Sequence, residues 1–219
     1  MKARKATPLA RIELLILDVD GVLTDGRLYF SVRGEALKVF HVRDGHGIKL
    51  LMAAGVAVAA FSGRRSRAVA ARMRELRVPH LVQACSDKVA ALHRLTHRLD
   101  IDPLNCACIV DDTPDLPLMS AVGMAGAVAD AHPLVRSAAH WIAKSKGGTG
   151  RCANCATPCC VPAPADADAV QGVHHHRGRG FGHQHLDLDG ARAPRGAAAQ
   201  RQTDGPAGVL FEECSAHRL

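Results

Sequence analysis

The first 150 residues predict an α/β fold, namely a doubly wound, Rossmann-like parallel sheet. Five short and nearly continuous apolar runs are typical of parallel strands buried on both faces. They occupy residues 13–17, 56–61, 80–82, 106–110 and 124–128. Helical segments at residues 47–54, 66–76, 88–99 and 116–122 alternate with these runs, and a Gly or Pro follows each one closely. This alternation of strands and helices indicates the fold class.

Residues 26–42 interrupt the alternation. Two apolar stretches, at residues 28–30 and 37–40, flank a turn at residues 32–35. This arrangement predicts a β-hairpin rather than a helix. We expect the hairpin to project as a flap beside the end of the first strand.

Composition limits the partners that the chain can have. The sequence is 47% hydrophobic and carries a formal net charge of +7, but only 3% of its residues are aromatic. Because aromatic rings are this rare, the chain lacks a surface on which nucleic-acid bases could stack. We therefore expect no nucleic-acid partner. No apolar run is long enough to span a bilayer, and no signal peptide is recognisable, so we predict a cytoplasmic protein with no membrane partner.

The chain changes character near Gly150, which predicts three regions. Residues 1–10 are expected to be a flexible N-terminus, residues 11–150 the folded domain, and residues 151–219 a low-complexity, disordered tail. The tail holds five of the eight cysteines and no sustained apolar periodicity. We hypothesise that the reading frame slips near Gly150, which would leave about 69 residues of unselected translation. The alternative is a genuine disordered extension.

Polar residues follow the predicted strands at their carboxyl ends, where ligands bind in doubly wound sheets. Closely spaced carboxylates there need a cation, because burying them alone costs free energy. Carboxylate oxygens are ligands that Mg²⁺ prefers, and a hydroxyl with an ammonium group could hold phosphoryl oxygens. The pattern therefore predicts phosphoryl transfer. The residues concerned are Asp18, Asp20, Ser62, Arg64, Lys88 and Asp111.

Four ordered motifs resemble those of the haloacid-dehalogenase-type phosphatases. They are residues 18–24 (DVDGVLT), residues 61–64 (FSGR), Lys88 and residues 111–115 (DDTPD). Within that superfamily, further segments resemble the phosphatases of 3-deoxy-D-manno-octulosonate 8-phosphate. These segments are residues 24–26, 41–45, 80–83, 116–119 and 128–133. The resemblance covers about residues 10 to 150, and it implies a fold without a large cap domain.

The resemblance also implies roles for individual residues. Asp18 would attack phosphorus to form an aspartyl-phosphate, and Asp20 would act first as general acid and then as general base. Asp18, the backbone carbonyl of Asp20, and Asp111 would bind Mg²⁺. Ser62 and Lys88 would neutralise the transferring group. Substrate contacts are expected from Asp20, Arg43, Asp44, Gly45, Arg64 and Lys88.

Members of this family are typically homotetramers whose hairpins help to close neighbouring sites, so a homotetramer is expected. The substrate is expected to be a small sugar phosphate. Two alternatives stay open: a phosphatase of a related nine-carbon acid-sugar phosphate, and a non-catalytic assembly module that retains the fold.

Two positions depart from the family pattern. Val110 stands where relatives usually carry Gly, and a β-branched residue would strain the loop if that position needed a positive φ. His41 stands where Asn is usual, which changes the available hydrogen-bond geometry.

Overall fold

A seven-stranded parallel sheet forms the centre of the molecule. The computed structural model describes residues 9–150 and 210–213, all of which belong to one compact unit of the chain. The sheet strands are β1 (Leu14–Asp18), β4 (Ala57–Phe61), β5 (His80–Gln83), β6 (Cys106–Val110), β7 (Met124–Ala127), β8 (Trp141–Ile142) and β9 (Leu210–Glu213). The predicted α/β fold is confirmed, and the five predicted strands are found within one residue of their expected ends.

The strand order places β1 at the centre of the sheet. The order is β8-β7-β6-β1-β4-β5-β9, and every neighbouring pair is parallel. From β1 the chain moves outward through β4 and β5, and then crosses to β6 on the other side. A crevice therefore opens beyond the carboxyl ends of β1 and β6, which is where ligands bind in such sheets.

Helices connect the strands and shield the apolar sheet. They are α1 (Val42–Ala53), α2 (Arg67–Leu76), α3 (Lys88–Leu99), α4 (Leu116–Ala121) and α5 (Pro133–Ala138). All five residues of β1 are buried, and each fully buried Leu or Ile contributes about 2 kcal/mol of transfer free energy. Helix α1 begins five residues before the predicted start, because His41 Nδ1 accepts the Arg43 backbone N–H at 3.1 Å and caps the helix there.

The predicted hairpin is present, but its second strand starts earlier than expected. It consists of β2 (Tyr29–Ser31) and β3 (Gly34–Leu37), which pair antiparallel through Ser31 and Gly34. Only Val32 and Arg33 remain in the turn, and Gly34 has a φ of 101°. A positive φ costs glycine little, so the chain can reverse here within two residues.

The ends of the chain differ from the predicted organisation in two places. Leu9–Arg11 form one helical turn in part of the segment that was expected to be flexible. Strand β9, inside the expected tail, adds to the edge of the sheet beside β5, and no periodicity in the sequence predicted it. The remaining residues of both segments lie outside the described ones, as does the proposed frame slip. Among the described residues, no helix is both long and apolar enough to cross a membrane.

Candidate active site

Three carboxylates meet at the crevice, and we call them the acidic triad. Asp18 is the last residue of β1, Asp111 directly follows β6, and Asp115 precedes α4. One oxygen of each lies within 4.8 Å of the others. Hard oxygen ligands at this spacing fit a divalent metal ion.

Lys88 is a cation in direct contact with the acidic triad. It begins α3, where Asp87 caps the helix by accepting the Ala90 N–H. The Lys88 ammonium lies 2.6 Å from Asp18 Oδ1 and 2.5 Å from Asp115 Oδ1. Burial alone would lower the pKa of Lys88, but the two carboxylates outweigh it and the pKa is raised.

The acidic triad is short of positive charge. Burial raises the pKa of Asp18 to about 6 although Lys88 opposes the shift. Burial, followed by the charges of Asp18 and Asp115, raises the pKa of Asp111 to about 8, and burial also raises the pKa of Asp115. Because one ammonium cannot balance three carboxylates, the site is suited to a further cation.

The loop that follows β1 depends on a glycine for its close approach to the acidic triad. Gly21 has a φ of 95°, and a Cβ at this position would collide with the Asp111 carboxylate. A Gly at this position therefore lets Asp111 lie directly against the Asp18–Asp20 loop.

A second cluster of charged and hydroxyl side chains includes Asp20. We call it the hairpin network, and its members are Asp20, Glu35, Lys38, Ser62 and Ser66. One Asp20 oxygen contacts the Lys38 ammonium, and the other accepts the Ser62 hydroxyl at 3.2 Å. Lys38 also lies 3.4 Å from Glu35, whose other oxygen accepts the hydroxyl of Ser66. Lys38 and Glu35 were not among the predicted site residues. The sequence signal that could have identified Lys38 is its position as a lone lysine between the apolar residues Leu37 and Val39.

A cleft of about 350 Å³ is lined by the acidic triad and by Asp20 of the hairpin network. Its lining includes five carboxylates and two cations, together with Leu28 from the hairpin segment. Arg64 lies over the Phe30 ring, with its guanidinium carbon 5.7 Å from the ring centre. The charged lining residues are Asp18, Asp20, Arg64, Lys88, Asp111, Asp112 and Asp115.

The structure brings six of the predicted site residues together. Asp18, Asp20, Arg64, Lys88 and Asp111 line the cleft, and the buried Ser62 reaches it through its hydrogen bond to Asp20. Asp115 belongs to the same site although it was not selected from its motif. Its spacing from Asp111 places it at the start of α4, facing back toward β1.

Three predicted substrate contacts lie apart from this cleft lining. Arg43, Asp44 and Gly45 form the first turn of α1, where Arg43 is exposed. Asp44 is buried and accepts the Gly150 N–H at 3.1 Å, and Gly45 lies against Arg72. Their contact with substrate stays a prediction.

Comparison with known proteins identifies the family. Residues 78–150 match the family model of haloacid dehalogenase-like hydrolases. The chain is 47% identical over 141 residues to 3-deoxy-D-manno-octulosonate 8-phosphate phosphatase KdsC of Yersinia pestis, covering 64% of this chain and 75% of the relative. KdsC of Escherichia coli K12 is 45% identical over 139 residues, which cover 64% of this chain and 74% of the relative. The chain belongs to the haloacid dehalogenase-like phosphatases, close to KdsC.

Solved structures of this family agree. The crystal structure of the Yersinia pestis phosphatase has a TM-score of 0.66 at 44% identity, covering 68% of this chain and 80% of that one. The Moraxella catarrhalis phosphatase, solved with a magnesium ion, a phosphate ion and a KDO molecule, has a TM-score of 0.65 at 34% identity. That match covers 68% of this chain and 85% of the other.

The two departures from the family pattern are accommodated without strain. Val110 lies in β6 in register with Ala127, and it is not among the described non-glycine residues with a positive φ, which are Arg77, Ala84 and Asp100. The strain considered for Val110 is therefore absent. His41 caps α1 through a side-chain acceptor, which is a role that Asn also performs.

Proposed function

We propose that this chain hydrolyses 3-deoxy-D-manno-octulosonate 8-phosphate to the free sugar acid and phosphate, with Mg²⁺ as its metal. The observation that carries the proposal is the convergence of the acidic triad and Lys88 at the carboxyl ends of β1 and β6. The 47% identity to a KdsC phosphatase supports the choice of substrate.

Asp18 is the proposed nucleophile. Its carboxylate oxygen forms a bond to phosphorus while the bond from phosphorus to the sugar oxygen breaks. Lys88 holds one Asp18 oxygen at 2.6 Å, which fixes the side chain for attack. A pKa of about 6 leaves Asp18 mostly ionised at neutral pH and makes it more basic than an exposed aspartate.

Asp20 is the proposed proton carrier. In its protonated form it gives its proton to the departing sugar oxygen, and the carboxylate that remains then takes one from the water that hydrolyses the aspartyl-phosphate. Its position on the same loop, two residues after Asp18, and its place in the cleft lining support this role. Ser62, which donates to Asp20, is the proposed partner of the transferring group together with Lys88.

The acidic triad is the proposed Mg²⁺ site. Asp18, Asp111 and Asp115 would hold the ion, together with the backbone carbonyl of Asp20 predicted from the sequence. When bound, Mg²⁺ supplies positive charge for the phosphoryl oxygens. The raised pKa values of Asp18 and Asp111, which burial causes first of all, support this assignment, because a nearby cation would favour the ionised form of a buried carboxylate.

Substrate contacts and assembly complete the proposal. Arg64, which lines the cleft, would contact the sugar acid there, and Arg43, Asp44 and Gly45 would contribute if the substrate extends toward α1. A homotetramer in the cytoplasm is proposed from the family resemblance. Six exposed apolar residues in and around the hairpin support an assembly role for it: Leu28, Phe30, Val32, Leu37, Val39 and Val42.

Phosphate release from a panel of sugar phosphates, with Mg²⁺ or EDTA, tests the proposal. The panel includes the eight-carbon and nine-carbon acid-sugar phosphates. We expect the eight-carbon substrate to give the highest kcat/KM, and Asp18→Asn to lower it by at least about 10³-fold. Asp102→Asn is the matched control, since Asp102 caps a turn before β6, at the opposite end of that strand.

The outcomes separate the alternatives. Preference for the nine-carbon substrate would favour the related phosphatase. Absence of Mg²⁺-dependent hydrolysis from the whole panel would favour the non-catalytic module, and activity that survives Asp18→Asn would contradict the nucleophile.

A further inference from the structure

We propose that Lys38, which follows the hairpin, is a positioning residue that holds the Asp20 carboxylate in place for proton transfer to the leaving oxygen. The inference rests on the proposed function, and it assigns a role to a residue that no sequence motif selected. The contacts of Lys38, the restraint on Asp20 and the demands of proton transfer each support it.

The side chain of Lys38 is buried, which its local sequence does not require. Its side chain is only 2% exposed, although it follows directly after β3 in a projecting hairpin. Burying an ammonium group is unfavourable unless carboxylates compensate its charge. Asp20 and Glu35 both do so, so Lys38 is fixed between the hairpin and the loop after β1.

Both oxygens of Asp20 are thereby restrained. Lys38 holds Oδ1 from the hairpin side, and Ser62 donates to Oδ2 from the loop after β4. Ser62 is held in turn by the backbone N–H of Arg64, which donates to its hydroxyl at 3.1 Å. A carboxyl group held at both oxygens keeps one orientation, and its protonated form is the one that donates to the leaving oxygen.

Glu35 prevents Lys38 from moving with the exposed tip of the hairpin. One Glu35 oxygen lies near Lys38, and the other accepts the hydroxyl of Ser66. Ser66 is the N-cap of α2, where its oxygen accepts the Val69 N–H at 3.3 Å. Lys38 is thus tied to a helix terminus of the rigid domain.

Proton transfer needs such restraint most when the leaving group is poor. An alkoxide leaving from a sugar phosphate must be protonated as its bond to phosphorus breaks, so the donor has to be within hydrogen-bond reach at that moment. A p-nitrophenolate ion leaves without protonation. Loss of the Lys38 contact should therefore affect the two kinds of substrate unequally.

The test compares kcat/KM for a sugar phosphate and for p-nitrophenyl phosphate, because this parameter reports the step in which the leaving group departs. For Lys38→Met we expect a loss of about 30-fold on the sugar phosphate and less than about 3-fold on the aryl phosphate. Lys38→Arg should keep the sugar phosphate within about 5-fold of wild type, since it retains the charge. Asp20→Asn should show the same selectivity, and adding Lys38→Met to it should cost nothing further.

Lys49→Met is the matched control, because Lys49 is exposed on α1; it should leave both substrates unchanged. Equal losses on the two substrates, or independent effects of Lys38→Met and Asp20→Asn, would overturn the positioning role. Equal losses with a lowered Tm would assign Lys38 to packing of the hairpin instead. An inactive wild type would contradict the proposed function itself, whereas an active wild type with an unselective Lys38→Met defect overturns only this inference.

Discussion

The acidic triad and the hairpin network are only two residues apart along the chain, at Asp18 and Asp20, but they compensate their negative charge to different degrees. The triad has three carboxylates and one contacting ammonium, Lys88. In the hairpin network two carboxylates share Lys38, and two serine hydroxyls complete their hydrogen bonds. The larger excess of buried negative charge in the triad suits a metal ion and a phosphoryl group, whereas the hairpin network has a smaller excess and hydroxyl donors to both carboxylates, which suits a group that has to keep its orientation.

The largest expected effect comes from removing the cation of the triad. In Lys88→Met, Asp18 and Asp115 lose the ammonium group that contacts them, which should lower the free energy of unfolding by about 3 kcal/mol. Activity should fall by at least about 100-fold, because the transferring group loses a neutralising charge. Urea unfolding and phosphate release measure the two effects. A variant as stable as wild type at pH 8 without metal would show that the triad is not short of positive charge.

Removing one carboxylate should have the opposite effect on stability. In Asp111→Asn the repulsion within the triad falls, so the metal-free protein should gain about 1 kcal/mol at pH 8. Its Mg²⁺ affinity should drop by roughly 100-fold or more, since a ligand is lost. Calorimetric titration and melting in EDTA check both results. Asp112→Asn, at the exposed neighbouring position, is the control, and a destabilised Asp111→Asn would contradict the comparison.

The pH dependence of stability tests the triad as a unit. Asp18 and Asp111 have pKa values of about 6 and about 8 in the folded protein, against about 4 in the unfolded chain. The native state therefore binds more protons over this range, and its stability is fully present below pH 4 and is lost as the pH rises through 6 and 8.

We expect the metal-free protein to lose at most about 5 kcal/mol between pH 5 and pH 8.5 from these groups, and saturating Mg²⁺ to remove most of the loss. Denaturant unfolding at several pH values, with Mg²⁺ or EDTA, measures it. Stability that rises with pH in EDTA would be inconsistent with a charge-deficient triad.

The smallest expected effect lies in the hairpin network. Glu35→Gln keeps an acceptor for Ser66 and leaves Lys38 paired with Asp20, so stability should fall by only about 1 kcal/mol. The kcat/KM on the sugar phosphate should change by less than about 3-fold. Glu75→Gln removes an exposed partner of Arg72 and should change neither quantity. A Glu35→Gln defect as large as that of Lys88→Met would show that the hairpin network depends on its charges as strongly as the triad does.

Local patterns were sufficient to predict the sheet and much of the site. Continuous apolar runs identified β1, β4, β5, β6 and β7, because a strand buried on both faces leaves little freedom in its sequence. Asp18, Ser62 and Asp111 could be located because each follows the end of one of these strands. Two-residue β8 and strand β9 were missed, since neither has a periodic pattern and both depend on the sheet edge beside them.

What the sequence alone determined was which loops meet at one edge: parallel strands bring their carboxyl ends together whatever lies between them. Only the tertiary structure decided which charged side chains of those loops contact one another. In the structure Asp115 lies in the acidic triad. Asp20 contacts Lys38, which is 18 residues away along the chain. The physical reason is that electrostatic compensation of a buried carboxylate depends on distances between side chains from separate elements, and a sequence pattern records only spacing along one element.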